Sequence, residues 1–170
     1  MPTDAADELV EVVDPDGTVE RIVSRSEMRA GNLRHRATYI VVRNTEGDVL
    51  VHLRAPWKDI WPSRWDLAFG GVCGVGEDWR DAALRELAEE AGIVAEIHDL
   101  GPVRFESSDT AVVGRVFHTT HAGSMTFGDG EVVDIAWVPG RDLARWAATH
   151  ELCPDSAAVV LPLAAELESC

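Results

Sequence analysis

The chain predicts an α+β fold in which helices pack on a mixed β-sheet. Three observations carry this. Two hairpins rich in β-branched residues come first, at 9–24 and 37–55. An amphipathic helix with clear start and stop signals follows at 78–91. Further strand-like runs then give way to helical ones near the C-terminus. At 170 residues, 46% hydrophobic and 26% charged, the chain reads as one domain, 1–170, with a core of its own.

Taken in order, residues 9–24, LVEVVDPDGTVERIVS, give two short strands around the turn Asp14-Pro15-Asp16-Gly17. A short helical turn at 26–30 completes an N-terminal segment, 1–30. ATYIVVRN (37–44) and VLVHLRA (49–55) form the second hairpin around TEGD. PWKDIWPSRWD (56–66) holds three tryptophans and two prolines and reads as a structured loop. From Asp78 to Ala91 the apolar positions Ala83, Leu84, Leu87 and Ala91 recur at helical spacing, and Gly92 supplies a stop. Strands are expected at 103–108, 110–123 and 132–139, and a helix at 141–151. A last helix at 155–168 is expected to kink or shorten at Pro162.

Thirty acidic against fifteen basic side chains give a net charge of −15 and no basic cluster, which excludes nucleic acid as a natural partner. No apolar run is long enough to span a membrane, and the acidic start MPTDAADELVEV lacks a secretory signal core, so a cytoplasmic location follows by default. Cys73, Cys153 and Cys170 have no metal-ligand or disulfide-framework spacing.

The most informative stretch is GGVCGVGEDWRDAALRELAEEAGI, residues 70–93. Glu86, Glu89 and Glu90 stand at i, i+3 and i+4 and share one helical face, while Ala83, Leu87 and Ala91 occupy the other. Crowded carboxylates cost stability unless a cation neutralises them, and a hard divalent ion such as Mg2+ or Mn2+ suits oxygen ligands. The plainer reading is a solvated acidic face stabilised by Arg85 and Arg80. The wider spacing decides between the two. Gly71, five residues, Glu77, seven residues, then Arg85-Glu86-Leu87-Ala88-Glu89-Glu90-Ala91-Gly92-Ile93 matches the Nudix box, G-x5-E-x7-R-E-U-x-E-E-x-G-U, at every defined position. A chance match in a chain of this size is on the order of one in ten million at average composition.

The sequence therefore resembles a Nudix hydrolase. The resemblance implies an α/β/α sandwich with a mixed β-sheet and a catalytic loop–helix–loop at 71–93. It implies that Glu86, Glu89 and Glu90, with the backbone carbonyl of Gly70, bind Mg2+ or Mn2+. It makes Arg85 and Glu77, with Gly71 and Gly92, the support of the box. The activity implied is metal-dependent hydrolysis of a diphosphate linkage in a small molecule, a nucleoside diphosphate derivative or related organic diphosphate. Glu86 and Glu89 are catalytic candidates. The family often takes a base from a distant loop, and Glu131 is the candidate here, against the plainer reading of an exposed turn acid. A homodimer is common in the fold, and the N-terminal hairpin could mediate it.

The region upstream, LRHRATYIVVRN and DVLVHLRAPWKDIWPSRWD, resembles the branch near isopentenyl-diphosphate isomerase. That resemblance assigns Arg54 and Lys58 to diphosphate binding and raises an alternative, an isomerase using Cys73. The loop after Cys73 is short, a Glu-x-Glu pair is missing from 103–123, and the box is complete, which together favour hydrolysis and a buried, structural Cys73. A second alternative is a non-catalytic ligand-binding module, which the intact glutamate set disfavours. His35 reads as a hydrogen-bonded structural residue; His118 and His121 point to opposite faces of a strand. Trp57, Trp61 and Trp65 could stack on a base or line an apolar substrate pocket, but the favoured expectation is that they fill the core between loop and sheet; Trp137 is expected to join a core.

Overall fold

The computed structural model describes residues 5–168; Cys170 and the first four residues of the N-terminal segment lie outside them. Strands β1 (Leu9–Val13) and β2 (Val19–Ser24) pair antiparallel across the expected turn, where the Asp14 carboxylate accepts from the N–H groups of Asp16 and Thr18. Helix α1 (Arg25–Ala30) is N-capped by Ser24 and pinned by buried Met28 against Val10, Val12, Val23 and Val72.

Strands β3 (His35–Arg43) and β4 (Asp48–Arg54) form the second hairpin, but Arg43↔Val49 is their one paired register position among the described residues. Beyond the tip they diverge. β3 pairs in parallel with β7 (Ala111–Thr120) along its whole length, and β4 pairs antiparallel with β8 (Val132–Pro139). β6 (His98–Glu106) flanks β7, and β5 (Trp65–Asp66) flanks β4. The sheet is thus mixed, and β3 is buried on both faces. Ile40 and Val42 face helix α2 (Trp79–Ala91) through Phe69, Ala83, Leu87 and Ala91. Tyr39 and Val41 face Leu143, Val159, Val160 and Leu167 on the other side. Helices on both faces of one sheet make the expected α/β/α sandwich.

Several boundaries differ from expectation. β6 begins at His98, five residues early, and admits Gly101-Pro102 through a register shift. The helix expected over 141–151 is a 3-10 turn, Gly140–Asp142, followed by α3 (Leu143–Ala147). It stops where Thr149 Oγ1 and His150 Nδ1 both turn back onto the Trp146 carbonyl. Pro162 breaks the last helix as expected, leaving α4 (Pro154–Val160) and α5 (Ala164–Leu167) around a 3-10 turn.

The segment between β5 and α2 fixes the geometry that matters most. Residues 69–73 run antiparallel along β3, with Ile40 N–H donating to Phe69 O at 2.7 Å and Thr38 N–H to Gly71 O at 3.0 Å. Gly70 lies between these contacts with φ 142, and its N–H donates to Glu90 Oε2 at 3.1 Å. A Cβ there would collide with the Thr38 carbonyl. At the far end of α2, Gly92 adopts the left-handed conformation, φ 63, and a Cβ would press on Thr126. Replacing Gly70 by Ala should therefore destabilise the fold by roughly 2–4 kcal/mol, from backbone strain and collision together. Gly76 also has a positive φ, 68, but nothing within 4 Å of a Cβ, so Gly76→Ala should cost only about 1–2 kcal/mol. Urea unfolding of both variants checks the ranking.

Candidate active site

Asp78 caps α2, its carboxylate accepting from Arg80 N–H at 2.9 Å. On the first turns of that helix Arg85 forms a clamp. Its Nε and Nη2 donate to both oxygens of Glu77, at 2.8 and 2.9 Å. Its Nη1 donates to Glu86 at 2.7 Å and to Glu89 at 3.3 Å. The bidentate bond holds the Glu77 carboxyl below the usual carboxylate range, and Glu77 in turn accepts from Gly74 N–H at 2.8 Å. Arg80, the other cation of the plainer reading, donates instead to the Ile97 carbonyl.

The three box glutamates differ in environment. Glu89 is largely exposed, its side chain 59% accessible. Burial pushes the Glu86 carboxyl up despite Arg85. Glu90 is pushed well above the usual range, first by burial and next by the Glu86 charge. These oxygen donors crowd one face: Glu86 and Glu89 share the single Arg85 cation, while among the described residues Glu90 has no ion-pair partner and the Gly70 carbonyl beside them no hydrogen-bond partner. That donor set fits a hard divalent cation. Among the described residues no three carboxylate, imidazole or thiol groups converge as a finished shell. Arg85 Nη1 bridges Glu86 and Glu89, and Glu90 is turned onto Gly70 N–H, so cation binding requires the side chains to turn.

Glu86, Glu89 and Glu90 line a cleft of about 640 Å3. The same cleft is lined by Glu131 from the loop before β8 and Lys58 from the loop after β4, joined as an ion pair. Glu131 lines the same cleft as the box glutamates, and its charge contributes to the rise at Glu90. Arg54 lies deeper, donating to Asp66 at 3.4 Å and to the Ile60 carbonyl at 3.0 Å.

Cys73 is 2% exposed, does not line the cleft, and has its thiol pushed up to about 12 by burial. It packs as a small core residue, as expected. His35 hydrogen-bonds through Nδ1 to the Leu33 carbonyl. Only part of the tryptophan expectation holds. Trp65 packs on the core edge against Trp146, whereas Trp57 is 61% exposed on the cleft rim, and Trp61 sits half-buried with φ 52.

Two supports escaped the sequence reading. Glu11 of β1 accepts from Arg36 Nη1 at 3.1 Å and from Gly76 N–H at 2.8 Å, while Arg36 stacks 4.1 Å over the Trp79 ring. Arg25 and Arg29 of α1 also line the cleft. Both contacts join residues far apart in the chain, so no local spacing announces them.

The comparisons agree with this geometry. A family model described as NUDIX domain matches residues 33–157. An uncharacterized Nudix hydrolase of Yersinia pestis is 36% identical over 150 residues, 88% of this chain and 81% of that protein. Another, YfcD of Escherichia coli (strain K12), is 35% identical over 153 residues, 89% of this chain and 84% of its own. Among solved structures, DR0079 from Deinococcus radiodurans superposes with a TM-score of 0.74 at 22% identity, covering 96% of this chain and 99% of that one. The NUDIX domain of Shewanella oneidensis NrtR, solved with ADP ribose, gives 0.63 at 18% identity, covering 85% and 98%.

The Glu90 environment carries a signed consequence. A carboxyl raised on folding favours the protonated folded state, so stability is lost as pH rises from the ordinary carboxylate range through the raised value. At pH 7 in EDTA, Glu90→Gln should melt a few degrees higher than the parent chain. Mg2+ should raise the melting temperature of the parent but not of the variant. Thermal unfolding with and without the ion checks both signs.

Proposed function

The chain belongs to the NUDIX domain family and is a hydrolase, and from that premise we propose that it is a divalent-metal-dependent hydrolase of a diphosphate linkage in a nucleoside diphosphate derivative or related organic diphosphate. One observation carries the reading: three box glutamates, of which Glu90 is buried and has no ion-pair partner among the described residues, line a single cleft with Glu131 and Lys58.

In this reading Glu86, Glu89, Glu90 and the Gly70 carbonyl hold Mg2+ or Mn2+. The bound ion supplies Lewis-acid neutralisation of the diphosphate charge. Arg85 keeps Glu86 and Glu89 oriented through its anchor on Glu77. Lys58 and Arg54 draw the diphosphate oxygens to the opposite wall. Once Lys58 turns to the substrate, Glu131 is released to accept a proton from the attacking water. The water oxygen bonds to phosphorus, the bridging P–O bond breaks, and the leaving phosphate departs with its electron pair. Glu86 is the second candidate for the proton acceptor. We place the protein in the cytoplasm, and a homodimer would use the outer face of the N-terminal hairpin, where Leu9, Val19 and Ile22 are exposed.

Isomerisation through Cys73 is not supported by a buried thiol held near 12 away from the cleft. A purely binding role is not supported by a complete glutamate set.

The test is a Mg2+-dependent screen of nucleoside diphosphate derivatives and prenyl diphosphates, scored for phosphate products and for dimethylallyl diphosphate. Phosphate products are expected; the allylic isomer, or no product from any compound, would overturn the reading. On a cleaved compound, Glu89→Gln should lower kcat by about 100-fold or more, and Glu131→Gln by about 100- to 10,000-fold. Lys58→Ala should raise KM, and Cys73→Ala should leave kcat within about twofold while lowering stability by roughly 1 kcal/mol.

A further inference from the structure

Past Gly70 and Gly71 the cleft continues into a smaller cavity of about 80 Å3, and the two spaces share Arg25, Arg29, Lys58 and Asp59 as walls. Four of the fifteen Lys and Arg side chains line this cavity: Arg25, Arg29, Arg54 and Lys58. Three carboxylates, Asp59, Asp66 and Asp155, line it as well, so its cations outnumber its acids by one in a chain of net charge −15.

Their counter-charges are unequal. Arg54 and Lys58 each have a carboxylate partner, Asp66 and Glu131. Arg25 and Arg29 instead share one oxygen, Asp59 Oδ2, at 3.3 and 3.2 Å, and Arg25 also reaches Glu8 at 3.4 Å. Arg29 makes its polar contact through Nε alone among the described residues, so both Nη atoms are uncommitted although its side chain is only 20% exposed. A guanidinium fork so placed is built for a bidentate oxyanion. The rest of the wall adds hydrogen-bonding capacity. Arg54 Nε, Trp61 Nε1 and Thr38 Oγ1 are buried and have no partner among the described residues. Trp61 holds its indole there from a left-handed backbone, φ 52, with Arg64 over its ring. Arg25 and Arg29 stand at i and i+4, on one face of α1, and α1 is fixed by Met28. Both precede residues 33–157, the span that the family model matches, and so lie in the N-terminal segment.

We propose that Arg25 and Arg29, with Trp61 and Thr38, form a second anion subsite that takes a phosphate or carboxylate of the substrate other than the diphosphate that is cut. The substrate class narrows to organic diphosphates carrying a further anionic group. This rests on the hydrolase reading above only for the identity of the molecule that bears the anion.

The test is anion binding to the full chain in EDTA, where no metal-assisted turnover occurs. Inorganic phosphate and methyl phosphate are titrated by calorimetry. In parallel, 15N–1H spectra follow the Trp61 indole N–H, identified by its loss in Trp61→Phe. Both probes should bind saturably and shift that resonance. Arg29→Gln should weaken binding at least tenfold, Arg29→Lys by less. Arg104→Gln should change nothing, because Arg104 is exposed and pairs with Asp16 away from the cleft. Absence of saturable binding, or equal binding by the parent and Arg29→Gln, overturns the subsite. Binding of inorganic phosphate with rejection of methyl phosphate overturns its assignment to a substrate group. A chain that binds both probes as expected yet cleaves no diphosphate overturns the hydrolase reading and leaves the subsite standing.

Discussion

Arg85 grips both oxygens of Glu77 with one edge of its guanidinium and reaches Glu86 and Glu89 with the remaining nitrogen. The grip closes the loop at 74–78 onto the helix that follows it. The reach offsets repulsion between two carboxylates that helix geometry forces together. Glu90 is beyond that reach. As an anion it is stabilised by the Gly70 N–H and less strongly by the Lys58 charge, while burial and the Glu86 charge oppose it. The residual imbalance therefore collects at Glu90, the best-buried of the three, and that is where a cation has most to gain.

The cleft itself follows from how the strands choose partners. β3 commits its length to β7 and β4 commits its length to β8, so the β3–β4 ladder survives only near the turn. The edge of β3 that β4 abandons is taken by residues 69–73. Because Phe69 and Gly71 spend their carbonyls on β3, Gly70 between them faces the other way, toward Glu90. A strand-like alternation thus delivers one backbone N–H and one free carbonyl to the glutamates, and glycine is required because its φ of 142 and the Thr38 carbonyl leave no place for a side chain.

The box was legible because its chemistry is local. Glu77, Arg85, Glu86, Glu89 and Glu90 lie within fourteen consecutive residues, and a helix converts their spacing directly into a shared face. The hairpins were legible for the same reason, through alternation and turn residues. What stayed hidden depends on long-range docking. Glu11 meets Gly76, Lys58 meets Glu131, and Arg25 and Arg29 meet Asp59, each across tens of residues. The tryptophan loop was misread in part because hydrophobicity predicts burial, whereas Trp57 stands exposed on the cleft rim in the loop after β4. The helix at 141–151 was overextended because periodicity does not register Thr149 and His150 competing for the Trp146 carbonyl.

Charge placement links these levels. A chain of net charge −15 repels an anionic ligand at long range, yet at physiological ionic strength that field decays over about 8 Å. Attraction must then come from cations held in recesses, where screening is weak and each guanidinium or ammonium keeps its orientation. Arg25, Arg29, Arg54 and Lys58 are so placed, and each is held by a carboxylate rather than left to point freely. The carboxylates do two things at once. They keep the cations ordered without a ligand, and in the proposed subsite they are the groups an oxyanion would displace or join. In the proposed subsite selectivity would reside in how completely a ligand satisfies cations that the protein satisfies only in part, and Arg29, which bonds through Nε alone among the described residues, stands on the helix that follows the N-terminal hairpin.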